Sequence, residues 1–205
     1  MNERIGQLIK NLQKNGFEVL YAESREEAKE KILNLISPND KVGVGGSITI
    51  RELGLIEALS QRGNVVVHHW RKGLSREEVG EVLKEELNSD VFLTSSNAVT
   101  MDGKLVNMDM TGNRVSAMIF GPNKAIVAVG INKIVEDVEG AIERIRKVAA
   151  PLNAKRIGAK TPCVKTGYCT DCDSPDRICR VTTIIEKKPS RSDITVVLIN
   201  EELGY

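Results

Sequence analysis

Small polar and charged side chains crowd one stretch of the sequence, residues 94–114. An apolar run at residues 91–93 predicts a buried strand, which ends in the hydroxyl and amide groups of residues 94–97. If such groups were only buried, each would need a hydrogen-bond partner or would cost free energy. For any one of these residues a turn or a helix cap is the simpler interpretation. The cluster as a whole predicts the lining of a cleft.

A hairpin positions the second half of this cluster. Asp102-Gly103 is a turn signal between two short apolar segments. Strand side chains alternate, so Asn107 and Asp109 lie on one face of the second segment. A carboxylate in a partly desolvated cleft can move protons, which makes Asp109 the candidate acid or base, and the planar fork of Arg114 suits a substrate carboxylate or phosphate. The alternative, a structural pair between Asp109 and Arg114, stays open.

A glycine-rich turn joins the strand predicted at residues 41–44 to a helix. Gly45, Gly46 and Ser47 would let backbone N–H groups approach a ligand at a helix N-terminus, where anions are favoured. The turn is neither a P-loop nor a GxGxxG motif. A tight turn in which Ser47 only caps the helix explains the same residues. Because this turn and the polar stretch both follow strands, where open α/β sheets bind ligands, the two together favour an anionic or phosphate-bearing ligand.

All four cysteines lie within 17 residues, with the spacing C-x5-C-x2-C-x6-C. Four thiolates suit tetrahedral zinc or an iron–sulfur cluster, and a cytoplasmic chain favours metal or redox chemistry over structural disulfides. Neither a second C-x2-C knuckle nor the ferredoxin run is present, so the metal is not identified. Reduced thiols or disulfides are the alternative. The candidate metal ligands are Cys163, Cys169, Cys172 and Cys179.

Two histidines, His68 and His69, follow the third predicted strand. A histidine pair could bind a metal, but no third ligand lies nearby in the sequence. We therefore interpret them as partly exposed residues at the edge of the sheet.

Apolar runs typical of strands alternate along the chain with the apolar periodicity of helices. These strands and helices must position the candidate site residues. This alternation predicts βαβ units, hence an α/β fold with a largely parallel sheet and helices on both faces. We expect Pro151 to end the regular pattern and the cysteines to form a loop, residues 160–180, inserted in a single domain, residues 1–205. Strands are predicted at residues 17–22, 41–44, 64–68, 91–93, 124–129, 181–186 and 194–199. Helices are predicted at residues 1–15, 24–36, 48–61, 75–87 and 136–149.

Composition excludes several classes of protein. The net charge is +1, and no apolar run approaches the length of a membrane helix. The N-terminus lacks the apolar core of a signal peptide, so we expect a cytoplasmic protein. Residues 151–192 are locally basic but lack the interleaved aromatic residues of single-stranded RNA binders. We therefore expect neither a membrane nor a nucleic acid as partner.

Three segments carry a resemblance to a known family: GVGGSITIRELG, TSSNAVTMDGKLVNMDMTGNRVSAMIFGP and VGINKIV. They resemble the LUD-domain family, of the lactate utilization protein C type, over about residues 1–200. The resemblance implies a fold like that of the NagB/RpiA/CoA-transferase superfamily. It also implies a role in a lactate-oxidising system whose sister subunits carry iron–sulfur clusters.

The resemblance also implies which residues form the site. Relatives in the superfamily bind sugar phosphates or CoA at comparable turns, so Gly45, Gly46 and Ser47 would face a phosphate. The simpler members of the family lack this cysteine loop, so here the sequence differs from the family pattern. By the same likeness the cleft would be lined by Ser96, Asn97, Asp102, Asn107, Asp109, Asn113 and Arg114.

Three functional hypotheses remain open at this point. The first is an oxidoreductase component of lactate oxidation, with a cluster in the cysteine loop, a small organic acid or phosphate-bearing ligand in the cleft, and iron–sulfur subunits as partners. The second is a ligand-binding or regulatory module with a structural zinc. The third is an isomerase or CoA-transferase-like enzyme that needs a carboxylate such as Asp109.

Overall fold

Strands and helices alternate along most of the chain in the computed structural model, which describes residues 2–205. The strands are β1 (Glu18–Ala22), β2 (Val42–Val44), β3 (Val66–His68), β4 (Val91–Thr94), β5 (Ala98–Thr100), β6 (Leu105–Asp109), β7 (Lys124–Gly130), β8 (Ile134–Val135), β9 (Val181–Ile185) and β10 (Asp193–Ile199). The α-helices are α1 (Glu3–Lys14), α2 (Arg25–Asn34), α3 (Ile48–Glu52), α4 (Leu55–Arg62), α5 (Arg76–Leu87), α6 (Asn113–Phe120), α7 (Val138–Arg144), α8 (Ala150–Arg156) and α9 (Pro162–Thr166).

The strands form two sheets. The main sheet has six strands in the order β1-β10-β7-β4-β2-β3, and every neighbouring pair in it is parallel. The second sheet has four strands in the order β8-β5-β6-β9, with β6 antiparallel to both of its neighbours. The prediction of an α/β fold with a largely parallel sheet and flanking helices is confirmed. The second sheet is not part of that prediction.

Alternate side chains of the central strands pack into two different cores. In β7, Ile126 and Ala128 join the core under α2, α3 and α4, whereas Val127 and Val129 join the core under α1 and α6. Both sets are fully buried. Burial on both faces explains why β7 and β10 read as continuous apolar runs, which is typical of parallel sheets.

Two predicted helices differ in detail from the structure. The helix expected at residues 48–61 breaks into α3 and α4 at Gly54, which has a left-handed φ of 60°. The expectation that Pro151 ends the regular pattern is wrong, because the helix continues to Arg156. A π-helical segment, Ile145–Ala149, precedes α8 and places Pro151 in the first turn of α8, where a missing N–H is tolerated. No helix within residues 2–205 is both long and apolar enough to cross a bilayer.

The cysteine loop is irregular apart from the short helix α9. It leaves α8 and returns to β9 at the edge of the second sheet. Its status as an insertion within one domain stays a prediction.

The predicted Asp102-Gly103 hairpin joins β5 to β6 and lies against α1. Asn15 donates from Nδ2 to the carbonyls of Asp102 and Gly103, at 2.9 Å each. Gly103 has a φ of +83°, and a Cβ there would lie 2.7 Å from the carbonyl carbon of Asn11. The turn therefore needs glycine both for its backbone conformation and for its close approach to the helix.

We predict that Gly103→Ala lowers the free energy of unfolding by about 2 kcal/mol more than Gly73→Ala does. Gly73 has nearly the same φ, +84°, but nothing lies within 4 Å of an added Cβ. The control thus carries the backbone strain without the clash. Urea unfolding of both variants measures the difference, and equal losses would show that the hairpin and α1 are not held in close contact.

Candidate functional site

The carboxyl ends of four strands in the main sheet meet at one cavity. Gly46 follows β2, His69 follows β3, Ser95 follows β4 and Lys133 follows β7. Ligands bind at this edge in open parallel sheets, because loops and helix starts converge there. The sheet topology therefore brings together residues that are far apart in the sequence.

The cavity has a volume of about 440 Å³. That is within the range of pockets that hold small molecules. Its walls are apolar on the side of α5 and the π-helical segment and polar toward the strand ends. The polar and charged residues that line it are Ser47, His69, Ser95, Ser96, Asn97, Asp109, Thr111, Asn113, Arg114, Lys133, Asn153, Arg156, Cys179 and Tyr205.

Arg114 is bound on several sides at the wall of the cavity. Its Nη1 donates to the Ser95 carbonyl at 2.8 Å and to Asn107 Oδ1 at 2.6 Å. Its Nη2 donates to Asn97 Oδ1 at 2.9 Å and to Asp109 Oδ1 at 2.6 Å. The Arg114 side chain is 9% exposed and that of Asp109 6%. These groups therefore form a buried, hydrogen-bonded ion pair, which is the structural alternative left open by the sequence.

The other oxygen of Asp109 is also occupied. Asp109 Oδ2 accepts from the backbone N–H of Val115 in the first turn of α6, at 3.1 Å. Both oxygens thus have fixed donors, and the guanidinium of Arg114 uses its terminal nitrogens internally. The ion pair therefore links β6 and α6 to the carboxyl end of β4.

Five of the predicted ligand-binding residues line the cavity: Gly46, Ser47, Ser96, Asn97 and Asn113. Ser47 also caps α3, because its hydroxyl accepts a hydrogen bond from the Ile50 N–H at 3.3 Å. This is the capping role that the sequence left open as the alternative. Since α3 has five residues, its helix dipole provides little for an anion.

Three predicted ligand-binding residues do not line the cavity: Gly45, Asp102 and Asn107. A Cβ on Gly45 would lie 2.7 Å from the ring of Phe92, so packing accounts for this glycine. Asp102 lies at the hairpin tip, where it bonds Thr100 and pairs with Lys104 at 3.0 Å. Asn107 lies behind Arg114 and is fully buried.

Lys133 is a buried cation at the inner end of the cavity, and the sequence analysis did not single it out. It is 3% exposed, and its Nζ donates to Thr49 Oγ1 at 2.8 Å and to Ser95 Oγ at 2.9 Å. Burial lowers the pKa of Lys133 to about 7, helped by the charges of Arg144 and Arg114. Among residues 2–205 no carboxylate forms an ion pair with Lys133, so its proton is held weakly near neutral pH.

Arg144 is a second cation near Lys133, partly buried and without a carboxylate partner in the described chain. Its Nη1 donates to the Asn97 carbonyl at 2.7 Å and its Nε to the Asn132 carbonyl at 2.9 Å. Burial lowers the pKa of Arg144 from its usual value, although an arginine stays charged. With the charge of Arg114 offset by Asp109, Lys133 leaves its part of the cavity wall positive, and Arg144, which does not itself line the cavity, adds positive charge near Lys133.

His69, which also lines the cavity, is hydrogen-bonded to the buried carboxylate of Glu86. Glu86 is 1% exposed, and its Oε1 accepts from the His69 backbone N–H at 3.1 Å and lies 2.7 Å from His69 Nδ1. This bond assigns the ring proton to Nδ1 and leaves Nε2, which faces Gly46, as an acceptor. Burial raises the pKa of Glu86, an effect that the bond to His69 opposes. His69 does lie at the edge strand of the sheet, but it also faces the cavity.

Aromatic groups complete the rim. The guanidinium carbons of Arg51 and Arg156 lie 4.6 and 5.5 Å from the centre of the Trp70 ring, a cation–π arrangement on a residue that lines the cavity. The hydroxyl of Tyr205 is buried but makes no hydrogen bond of good geometry, although Arg156 lies close enough to lower its pKa. The pKa of Tyr205 is nevertheless raised, mainly by burial.

The cysteine loop borders the same cavity through Ile178 and Cys179. All four cysteines are free thiols of intermediate exposure. Burial raises the pKa of Cys179 to about 11, and the other three thiols add to this effect, so all four lie near one another. Across residues 2–205, however, no three His, Cys, Asp or Glu side chains already surround one point as metal ligands do. The donor set suits a thiophilic metal, but it is not assembled as a cage.

Comparisons with known proteins agree with this architecture. The family model described as LUD domain matches residues 5–199, which include the strand ends around the cavity and the cysteine loop. The crystal structure of a DUF162 family protein from Deinococcus radiodurans is similar, with a TM-score of 0.56 and 16% identity over 96% of each chain. At this identity the likeness shows the fold alone. None of the curated proteins matches the chain.

We predict that Arg114→Met lowers the free energy of unfolding by about 3–5 kcal/mol, because it leaves a buried Asp109 without its counter-ion. Lys84→Met, which removes a cation from the exposed pair with Glu81, is the control and should change the unfolding midpoint very little. Urea denaturation followed by circular dichroism measures both. A loss below about 1 kcal/mol for Arg114→Met would contradict a structural role for the pair.

Proposed function

The chain belongs to the LUD-domain family, which is associated with lactate utilization, and from this premise we propose that it binds a small 2-hydroxy or 2-oxo acid. We further propose that it is a lactate utilization protein of the C type, which works as a component of an iron–sulfur lactate-oxidising system. The observation that carries the proposal is the positive charge of Lys133 on the wall of the cavity, which no carboxylate of the described chain pairs with and which the nearby charge of Arg144 reinforces.

The charge supports an anionic ligand. Cations buried without counter-ions cost free energy in the empty protein, and a bound carboxylate would supply the missing charge. Lys133 can donate to a carboxylate directly, since it lines the cavity and is held by two hydroxyl groups rather than by an acid. A small carboxylic acid is the simplest ligand that meets this requirement.

The histidine–carboxylate pair supports a proton-transfer role on the same ligand. Oxidation of a 2-hydroxy acid removes the proton of its hydroxyl, and an imidazole with a free Nε2 is suited to accept it. Glu86 orients His69 through Nδ1. We therefore assign the acid/base role to His69 rather than to Asp109, whose oxygens are both occupied. The C–H bond at the hydroxyl-bearing carbon breaks as well, and its hydrogen leaves with the bonding electron pair, as hydride, to a two-electron acceptor outside this chain. The iron–sulfur partner subunits are the candidates for carrying these electrons onward one at a time.

A phosphate-bearing ligand and a CoA-transferase-like reaction are less well supported. The glycine turn leads into a helix of five residues whose serine is used as a cap, and Gly45 serves the packing of Phe92. An acyl-CoA mechanism would need an accessible carboxylate, whereas Asp109 is paired and buried. Inorganic phosphate is therefore the ligand whose binding should be compared with that of the organic acids.

We predict that Lys133→Met weakens the binding of pyruvate or lactate by about ten- to a hundredfold, the effect of one hydrogen bond to a charged group. Isothermal titration calorimetry with pyruvate, both enantiomers of lactate and inorganic phosphate measures the affinities. Lys124→Met is the matched control, because Lys124 is a half-buried lysine whose Nζ bonds the Leu35 carbonyl, away from the cavity. If neither organic acid binds the wild-type protein, or if both variants bind alike, the proposed ligand class is wrong.

We also predict that the affinity for the acid falls as the pH rises. Lys133 loses its proton in the free protein as the pH passes about 7, so above that value binding must first return a proton to it. The affinity is therefore full below about pH 7 and decreases by up to about tenfold per pH unit above it. Titrations at about pH 6 and about pH 9, in buffers of different ionisation enthalpy, detect the proton taken up. Lys133→Arg keeps the charge and should bind with little change over this range, and a wild-type affinity that does not vary with pH would contradict the assignment.

A further inference from the structure

We propose that the four cysteines bind one thiophilic metal centre, either zinc or an iron–sulfur cluster, in the wall of the cavity. This metal site does not depend on the ligand proposed above. It rests on the way the backbone and the arginines of the loop arrange the four thiols.

The loop has almost no core of its own. Between residues 158 and 180 the only buried residues are Thr161 and Ile178. Long segments without regular structure are uncommon in compact domains, and small units of this kind are usually held by disulfides or by a metal. Four free thiols within the loop are the groups that could provide such a link.

The C-x2-C turn is shaped to present sulfur. Asp171 is the one non-glycine residue with a positive φ in the described chain, at 48°. In this conformation its backbone N–H points to Cys169 Sγ, at 3.3 Å. An N–H donor to sulfur stabilises the negative charge that a metal-bound thiolate carries. A strained backbone that serves a sulfur atom indicates a role for that sulfur beyond packing.

Arg177 connects the chain at the third cysteine, Cys172, to the chain at the fourth, Cys179. Its Nη1 donates to the Cys172 carbonyl at 2.7 Å and its Nε to the Cys179 carbonyl at 2.8 Å. Its Nη2 pairs with Asp171 at 2.8 Å. One guanidinium therefore fixes the two chain segments side by side and places a positive charge beside their thiols.

The first cysteine is held to the same unit. Cys163 lies in α9, two residues after Thr161, whose hydroxyl is 3.2 Å from its sulfur. Ser174 donates to the Lys160 carbonyl at 2.9 Å, which closes the start of the loop on its middle. The thiols are partly exposed and can turn about χ1, so a metal could gather side chains that do not yet surround one point.

The centre would lie next to the ligand cavity, because Ile178 and Cys179 form part of its wall. The backbone N–H of Arg180 donates to the carbonyl of Asp109 at 3.0 Å, which joins the loop to the strand beside the cavity. An iron–sulfur cluster here could exchange electrons with a bound molecule, whereas zinc would fix the wall.

The test is the metal and sulfide content of the full chain, purified without oxygen and again after reconstitution under reducing conditions. One sample is reconstituted with Zn²⁺ and another with ferrous iron and sulfide. We expect one centre per chain: zinc alone with a colourless protein, or iron and acid-labile sulfide with a broad visible absorption. Cys172→Ser and Cys179→Ser should each lower the metal content at least about tenfold, whereas Thr170→Ala, an exposed residue within the same turn, should retain it.

A chelator titration of the wild-type protein keeps the test independent of how the variants fold. Removal of the metal should expose four titratable thiols and increase proteolysis within residues 158–180. Less than about one tenth of an equivalent of metal after every reconstitution would overturn the proposal, and so would disulfides that persist in the protein purified without oxygen. Equal metal content in Cys172→Ser and Thr170→Ala would also overturn it.

Discussion

The buried guanidinium of Arg114 is the constraint on which the site depends. It bonds the carbonyl of Ser95 at the end of a main-sheet strand and the side chains of Asn107 and Asp109 on a strand of the second sheet. A single planar cation with several donors thereby joins two sheets that share no hydrogen-bonded strands. Its directional bonds hold the end of β4 against β6 at the wall of the cavity.

The buried cations of this protein differ in whether a carboxylate pairs with them. Arg114 has a carboxylate partner and a full set of acceptors, so its charge serves the fold. Lys133, which lines the cavity, has only hydroxyl acceptors in the described structure, so its charge remains available to a ligand. Arg144, held by two backbone carbonyls outside the lining, adds to the positive charge around Lys133. A buried lysine without a counter-ion lowers stability at neutral pH, and such costs are characteristic of functional sites.

The sequence predicted most helices and strands of the main sheet correctly. Strands that are buried on both faces appear in the sequence as continuous apolar runs, and helix N-termini appear as short capping motifs. The helix predicted at residues 75–87 is present, and a capping box of Ser75 and Glu78 begins it. The helix beyond Pro151 was missed because a π-helical segment has no simple sequence pattern. The family resemblance placed Asp102 in the cleft, but Asp102 lies at the tip of the hairpin, at the end of β5 and β6 that lies away from the cavity.

The residues that sequence reasoning missed are single charges whose meaning comes from tertiary structure. Lys133 is one of 29 basic residues, and nothing local shows that it is buried. Its only signal was its place just after a buried strand, in the segment VGINKIV. Glu86 lies in a helix rich in glutamate, where one buried carboxylate cannot be told from exposed ones. His69 follows an edge strand, and only the fold shows that it faces the cavity.

The position of β10 has a consequence for how the protein is made. This strand comes from residues 193–199 but lies between β1 and β7, which come from much earlier in the chain. Until residues 193–199 have been synthesised, β1 and β7 therefore lack their shared neighbour, and the backbone N–H and C=O groups along that edge of each strand are unpaired. Long-range parallel pairing of this kind is slow, and the uncovered strands are exposed to aggregation until it is complete. The main sheet can therefore close only after residues 193–199 have been translated.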